Sequence, residues 1–164
     1  MPKESDYMFS VDTLASYLYS LKNNISPLKL QKSLYFLFAY HGALYTQETG
    51  EGVFEGTSVA PKYLFNAQFE AWQYGPVIRQ VYNNDKRGIY SSPDMIEAAT
   101  KEVESEPEVK KFIDELFMQI DSVSDFKLVD RSHQDDSWKE AYSQGQSTLM
   151  DNEQIIQEYQ EKYV

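Results

Sequence analysis

The segment from Ser26 to Tyr45 constrains the fold more than any other part of this 164-residue chain. Ser26 and Pro27 indicate a helix start, because serine caps free backbone N–H groups and proline fits the first helical turn. Apolar residues then recur at helical spacing and form a broad stripe. The stripe consists of Leu30, Leu34, Leu37, Phe38, His41, Leu44 and Tyr45. We expect this helix at the centre of the protein, with Lys29 and Lys32 facing away from the stripe.

Helix signals also occur on both sides of this segment. The spacing of apolar residues predicts a first helix over residues 12–22, capped by Ser10 or Asp12. Residues 105–108, Ser-Glu-Pro-Glu, match a capping box and predict a helix with one apolar face. Shorter helical stretches are expected over 125–131 and through Ala141 and Tyr142. A last helix follows a cap formed by Asp151 with Gln154.

The middle of the chain has a different pattern. Residues 47–63 are rich in Gly, Glu, Thr and Ser and predict a surface loop. Residues 65–72 fit either a short helix or a strand. At Gly75-Pro76 the glycine permits an unusual turn, and we expect the proline to open a short helix through Tyr82. Residues 83–93 predict a polar loop.

These elements together predict a mainly α protein. We expect a single compact helical domain of six or seven helices, with a core over about residues 10–160 of the chain. A small β element is expected near residues 53–72. No repeat, low-complexity tract or domain linker interrupts the sequence.

The composition excludes several classes of site and location. The chain has no cysteine, so disulfides, thiolate nucleophiles and cysteine-based zinc sites are excluded. The N-terminus lacks the apolar core of a secretory signal, and the longest apolar stretch, near residues 34–39, is too short to cross a bilayer. We therefore expect a cytoplasmic protein with no membrane partner.

The charge of the chain argues against nucleic acid as a direct ligand. The formal net charge is −11, whereas phosphate binding requires clustered lysine and arginine. Residues 94–124 contain nine acidic residues against three lysines. This stretch fits a solvated acidic helix face, and it also fits a surface that mimics nucleic acid or binds a basic partner.

The residue types that carry catalysis do not form a recognisable motif. His41 lies on the apolar stripe, where a hydrogen-bonded core histidine is expected. His133 precedes Asp135 and Asp136 in a polar bend, and this group needs further ligands from the fold to hold a metal. Nucleophile-elbow and phosphate-binding motifs are absent. We expect no enzyme activity and no catalytic, cofactor or metal site.

Three segments carry the strongest pattern: Pro27–Tyr35 (PLKLQKSLY), Phe69–Val77 (FEAWQYGPV), and Ser132–Ala141 with its Ser-His pair and Trp138. In this order they resemble the Panacea domain, a family that includes phage-associated proteins and SocA-like antitoxins. The resemblance covers about residues 10–160, and residues 50–56 and 94–124 depart from it. The residues to which it assigns a structural role are Pro27, Leu30, Gln31, Lys32, Tyr35, Phe69, Trp72, Gly75, Pro76, Val77, His133 and Trp138.

The resemblance implies a helical protein-binding domain without a shared catalytic site. Our leading hypothesis is an antitoxin that neutralises a toxin encoded beside it by direct contact, and the resemblance leaves open whether a prophage encodes it. The alternatives are a proteolytic adaptor, an acidic phage-encoded inhibitor of a host nucleic-acid-binding enzyme, and a hydrolase or metal enzyme built around His133. The sequence leaves a homodimer open. The expected partner contacts are Tyr74, Arg79, Tyr82 and Lys86.

Overall fold

The computed structural model of the chain describes residues 7–48 and 61–164. Within these ranges it contains eight helices and five short strands, so the mainly α prediction is confirmed, with more helices than the six or seven expected. The elements, in chain order, are β1 (Tyr7–Phe9), α1 (Val11–Leu21), α2 (Pro27–Glu48), β2 (Tyr63–Phe65), β3 (Phe69–Trp72), β4 (Gly75–Ile78), α3 (Arg79–Lys86), α4 (Pro93–Glu104), α5 (Pro107–Asp121), α6 (Asp125–Ser132), α7 (Asp136–Ser143), β5 (Thr148–Leu149) and α8 (Asn152–Lys162).

Helix α2 is the central element, as the sequence predicts. Ser26 Oγ accepts a hydrogen bond from Lys29 N at 3.0 Å, which confirms the predicted cap. The helix packs against α5, α6, α8, β2 and β4. Because neighbours surround it, little of its surface is left for a polar face. The expectation that Lys29 and Lys32 face away from the core is therefore wrong: they are 8% and 1% exposed.

The strands form two small sheets. Strand β1 pairs with β2 in parallel, and β3 lies between β4 and β5 in an antiparallel sheet. The ambiguous segment 65–72 is thus not helical: it contains the end of β2, a short loop over 66–68 and the whole of β3. Pro76 does not open a helix: it lies in β4 opposite Ala71, and the helix begins at Arg79. Proline is tolerated there because β4 is an edge strand, where its missing N–H interrupts no central ladder.

Helix boundaries differ from prediction in the second half of the chain. The predicted loop over 83–93 is helical as far as Lys86, and α4 then follows from Pro93. The capping box is wrong, because Ser105 Oγ donates to Glu102 O and Glu106 precedes α5 without a side-chain cap. Local bonding of the serine to the preceding turn has replaced the cap. Helix α5 nevertheless begins at Pro107.

The remaining predicted elements are confirmed. Ser10 caps α1 by accepting from Thr13 N at 3.1 Å, and Asp151 caps α8 by accepting from Glu153 N at 2.9 Å. Residues 50–56 and most of the predicted loop over 47–63 lie outside the described residues. In the described ranges, every helix is too short or too polar to cross a bilayer.

Candidate functional site

Side chains from α2 bind the β3–β4 hairpin along the free edge of β4. Gln31 Nε2 donates to Ile78 O at 3.1 Å, and Ile78 N donates to Gln31 Oε1 at 2.9 Å. The carboxamide therefore pairs with the edge of β4 as a neighbouring strand would. One residue further along α2, Lys32 Nζ donates to Pro76 O at 3.1 Å. These contacts fix β4 to the central helix.

The turn of the hairpin is also bound by α7 and by the residue that follows α6. Trp138 Nε1 donates to Trp72 O at 2.9 Å, and His133 Nε2 lies 2.8 Å from Gln73 O. Because a carbonyl oxygen only accepts, Nε2 of His133 carries the proton. The imidazole stacks on the Trp138 ring with centroids 4.2 Å apart. The second of the three segments identified in the sequence thus forms the hairpin, and the first and third segments bind its backbone.

The outer side of the hairpin carries a row of stacked aromatic and cationic side chains. Arg79 donates to Glu70 through Nε at 3.0 Å and Nη2 at 2.8 Å, and its guanidinium lies 5.2 Å from the Trp72 ring centroid. The hydrogen bond from Arg79 lowers the pKa of Glu70. Tyr82 contacts Trp72 edge to face at 5.2 Å, and Lys86 Nζ lies 5.0 Å from the Tyr82 ring centroid. Such contacts hold long side chains in place.

Tyr74 stands at the tip of the turn with 59% of its surface exposed. The four partner contacts expected from sequence are all exposed and lie on α3 or in the hairpin turn. Trp72, which the family resemblance assigned to the scaffold, is half-buried and connects Arg79 to Tyr82. We call this region the hairpin surface; it consists of Trp72, Tyr74, Arg79, Tyr82 and Lys86.

Lys32 is the most unusual ionisable group behind the hairpin. It is fully buried against the turn, and burial lowers its pKa from 10.5 to about 7. At pH values between these two pKa values, the Lys32 amine is protonated in the unfolded chain and deprotonated in the folded chain. The free energy of unfolding therefore gains a contribution that rises with pH across this window.

We predict that Lys32→Met removes this contribution. From about pH 7.5 to about pH 9.5 the unfolding free energy of the wild type should rise relative to the variant by about 1 kcal/mol per pH unit. Urea unfolding at several pH values measures the difference. The exposed Lys101→Met variant should keep the wild-type slope, and a Lys32→Met slope equal to that of the wild type would contradict the prediction.

The structure gives the residues of the proposed metal or hydrolase site different partners. His133 bonds to Gln73 O, and Asp136 pairs with Lys162 at 2.7 Å. Asp135 is buried and accepts from Tyr35 and other donors inside the protein. Across residues 7–48 and 61–164, no three His, Cys, Asp or Glu side chains are grouped to hold a metal.

His41 agrees with the expectation of a core histidine. It is 8% exposed, and its Nε2 lies 3.0 Å from Pro61 O. This hydrogen bond to the main chain gives the residue a structural role in the helix that the sequence placed at the centre.

The buried network around Asp135 was not anticipated from the sequence. Its carboxylate accepts from Tyr35 OH at 2.5 Å, Tyr159 OH at 2.6 Å and Arg131 Nη1 at 2.8 Å. Burial and the nearby carboxylate raise the pKa of Tyr159 well above its ordinary value, so the phenol stays a neutral donor. Because these donors come from α2, α6 and α8, one side chain joins three helices just before α7. The one local signal in the sequence that could have drawn attention to Asp135 is its position directly before a helix.

The acidic stretch 94–124 lies on α4, α5 and the turns that follow them. Several of its carboxylates are engaged within the protein: Asp114 pairs with Lys110 at 2.7 Å, Asp121 with Lys22 at 3.2 Å and Glu97 with Lys101 at 3.1 Å, and Glu102 accepts from the Thr13 hydroxyl at 3.1 Å. Four glutamates between residues 102 and 108 are exposed where α4 meets α5. The negative surface is therefore concentrated at that junction.

Comparison with models of known protein families gives a match over most of the chain. The family model described as antitoxin SocA-like, Panacea domain, matches residues 30–139, which is more than half of the chain. The matched region contains the whole hairpin and the four side chains that bind its backbone, Gln31, Lys32, His133 and Trp138. Neither a curated protein nor a solved structure matches the chain.

Proposed function

The chain belongs to the antitoxin SocA-like, Panacea domain family, and we propose that it neutralises a toxin by direct protein–protein contact. In this proposal the hairpin surface is the contact region, and the protein acts by covering part of the toxin without catalysing a reaction. The supporting observation is that two of the family segments bind the backbone of the hairpin formed by the third, and that the outer side of this hairpin presents exposed aromatic and cationic groups.

The physical properties of the hairpin surface suit an interface. Tryptophan, tyrosine and arginine dominate the binding energy of protein interfaces, because they combine large apolar area with polar contacts. Here the backbone of the hairpin is fixed by Gln31, Lys32, His133 and Trp138 before any partner arrives. Preorganisation of this kind reduces the entropy lost on binding.

Co-expression with the neighbouring genes tests the proposal. We expect one adjacent reading frame to arrest growth when expressed alone and growth to recover when this chain is present. Purified proteins should then form a stable complex. The proposal fails if no adjacent reading frame is toxic alone and rescued by this chain.

Substitutions in the hairpin surface give a residue-level prediction. Tyr74→Ala and Tyr82→Ala should each weaken binding of the toxin by about tenfold or more, because exposed aromatic anchors carry binding energy. The unfolding free energy should change by less than about 0.5 kcal/mol for Tyr74→Ala, and should fall by about 1 kcal/mol for Tyr82→Ala, because this variant loses the edge-to-face contact with Trp72. Calorimetric titration and urea unfolding measure the two quantities.

The matched control is Phe126→Ala, since Phe126 is 83% exposed on α6 and lies outside the hairpin surface. It should bind the toxin as the wild type does. If Phe126→Ala weakens binding while Tyr74→Ala and Tyr82→Ala do not, the contact region has been placed on the wrong face.

The exposed glutamates at the α4–α5 junction favour a second candidate, an acidic inhibitor of a host nucleic-acid-binding enzyme. A charge-driven complex weakens steeply as salt increases, because screening shortens the range of the attraction. A complex that keeps its affinity between low and high salt would argue against this function. A proteolytic adaptor would instead reduce the amount of toxin only in cells that contain the protease.

A further inference from the structure

A cavity of about 680 Å³ opens beside the hairpin surface, and Arg79 forms part of its wall. It lies between the loop that joins β2 to β3, the start of α3 and the start of α8. Carboxamides are the commonest side chains lining it, and they are contributed by all three of these elements. They are Asn66, Gln68, Gln80, Asn83 and Asn152.

Several of these amides have unused hydrogen-bonding capacity. The side chains of Gln68 and Asn83 are exposed and make no hydrogen bond to the part of the chain that the structure describes. Asn152 Nδ2 donates to Ala67 O at 2.9 Å, whereas its Oδ1 has no donor among the described residues. Each carboxamide carries two donor hydrogens and one acceptor oxygen, so the lining can both donate and accept.

A carboxamide presents the same donor and acceptor groups as a peptide bond. This protein already uses that match, since Gln31 pairs with both the N–H and the C=O of Ile78 at 2.9 and 3.1 Å. We propose that the amide-lined cavity binds an extended main-chain segment of the partner protein through such amide-to-peptide pairs. The inference rests on the proposed function, because it deepens the description of the same interface.

The charge and shape of the cavity favour a peptide segment over other occupants. Glu70 and Arg79 in its wall already neutralise each other at 2.8 Å, so neither charge is free to select an ion. Small-molecule sites are mostly apolar, unlike this lining. A second cavity of about 540 Å³ shares Tyr7 and Asn66 with the first, which extends the concave region into a groove. A groove of this form fits an elongated chain.

The position of Arg79 connects the cavity to the hairpin surface. Its guanidinium lies over Trp72 on one side and lines the cavity on the other. A partner that covers the hairpin surface would therefore reach the cavity with an adjoining segment, without a change in this protein. Side chains of the partner would be selected at the hairpin surface, and its backbone would be bound in the cavity.

The first test is a double substitution, Gln68→Ala with Asn83→Ala, measured by calorimetric titration with the toxin identified by co-expression. We expect affinity to fall about tenfold or more, since each lost hydrogen bond contributes about 1 kcal/mol. The unfolding free energy should stay within about 0.5 kcal/mol of the wild type. The matched control, Asn23→Ala with Gln134→Ala, removes two exposed carboxamides that do not line the cavity and should bind normally.

The second test separates backbone from side-chain recognition. Overlapping peptides of the toxin are titrated while the side-chain amide NMR signals of Gln68 and Asn83 are followed. A binding peptide should shift both signals, and N-methylation of its backbone amides should abolish binding. If the wild type binds the toxin but the double variant binds equally well, or if N-methylated peptides bind unchanged, the inference is wrong while the proposed function stands. If the wild type binds no toxin, both fail.

Discussion

Gly75→Ala is expected to lower the free energy of unfolding by on the order of 3 kcal/mol and to abolish partner binding. Gly75 has a φ of 109°, a conformation that residues with a Cβ atom rarely adopt. A Cβ atom there would also lie 2.4 Å from Ser132 Oγ and 2.7 Å from Lys32 Cε. Both neighbours are buried, so the clash falls on groups with no space to move.

Gly88→Ala provides the control for the backbone alone. Gly88 also has a positive φ, 73°, but no atom lies within 4 Å of the position its Cβ would take. This variant should lose only about 1–2 kcal/mol, the cost of the left-handed conformation. Urea unfolding of both variants separates the steric part from the conformational part. If both variants lose the same free energy of unfolding, the close packing of the turn against Lys32 and Ser132 does not contribute to stability.

Asp135→Ala should lower the free energy of unfolding by about 3–5 kcal/mol, because it leaves buried partners without their acceptor. Tyr35 and Tyr159 would each retain a buried hydroxyl with no acceptor in its present position, and Arg131 would lose its ion pair at 2.8 Å. The effect should extend to the hairpin, because Asp135 lies between His133 and Trp138, the two residues that bind its turn.

Asp130→Ala is the matched control, since Asp130 is exposed on α6 and should contribute less than about 0.5 kcal/mol. Double-mutant cycles that combine Asp135→Ala with Tyr35→Phe or Tyr159→Phe would measure the individual couplings. A loss below about 1 kcal/mol for Asp135→Ala would mean that water replaces the network and that Asp135 does not hold the three helices together.

The helix caps and the central helix were predicted correctly, because they depend on residues that are close together in the sequence. Ser26, Ser10 and Asp151 each cap the helix that they were expected to cap, because capping involves atoms only two or three residues apart. The apolar stripe after Pro27 identified the central helix for the same reason. The order of the three motif segments was sufficient to indicate the family that the comparison then showed.

The predictions that failed depended on distant parts of the chain. Lys32 was expected to face away from the apolar stripe, since charged side chains are seldom buried, but the hairpin covers it and offers Pro76 O as an acceptor. Pro76 was expected to open a helix because proline suits that position. Pairing of β4 with β3 instead drew it into a strand. In both cases tertiary contacts outweighed a correct local tendency.

The sequence by itself therefore determined the helical class, the central helix, most helix starts and the family. Only the tertiary structure decided that Gln31, Lys32, His133 and Trp138 converge on one hairpin, and that amides from three elements line one cavity. The physical reason is that the acceptors of these side chains are main-chain carbonyl groups. Every residue has such a group, so no residue type marks the partner, and the pairing becomes visible only when the chain is folded.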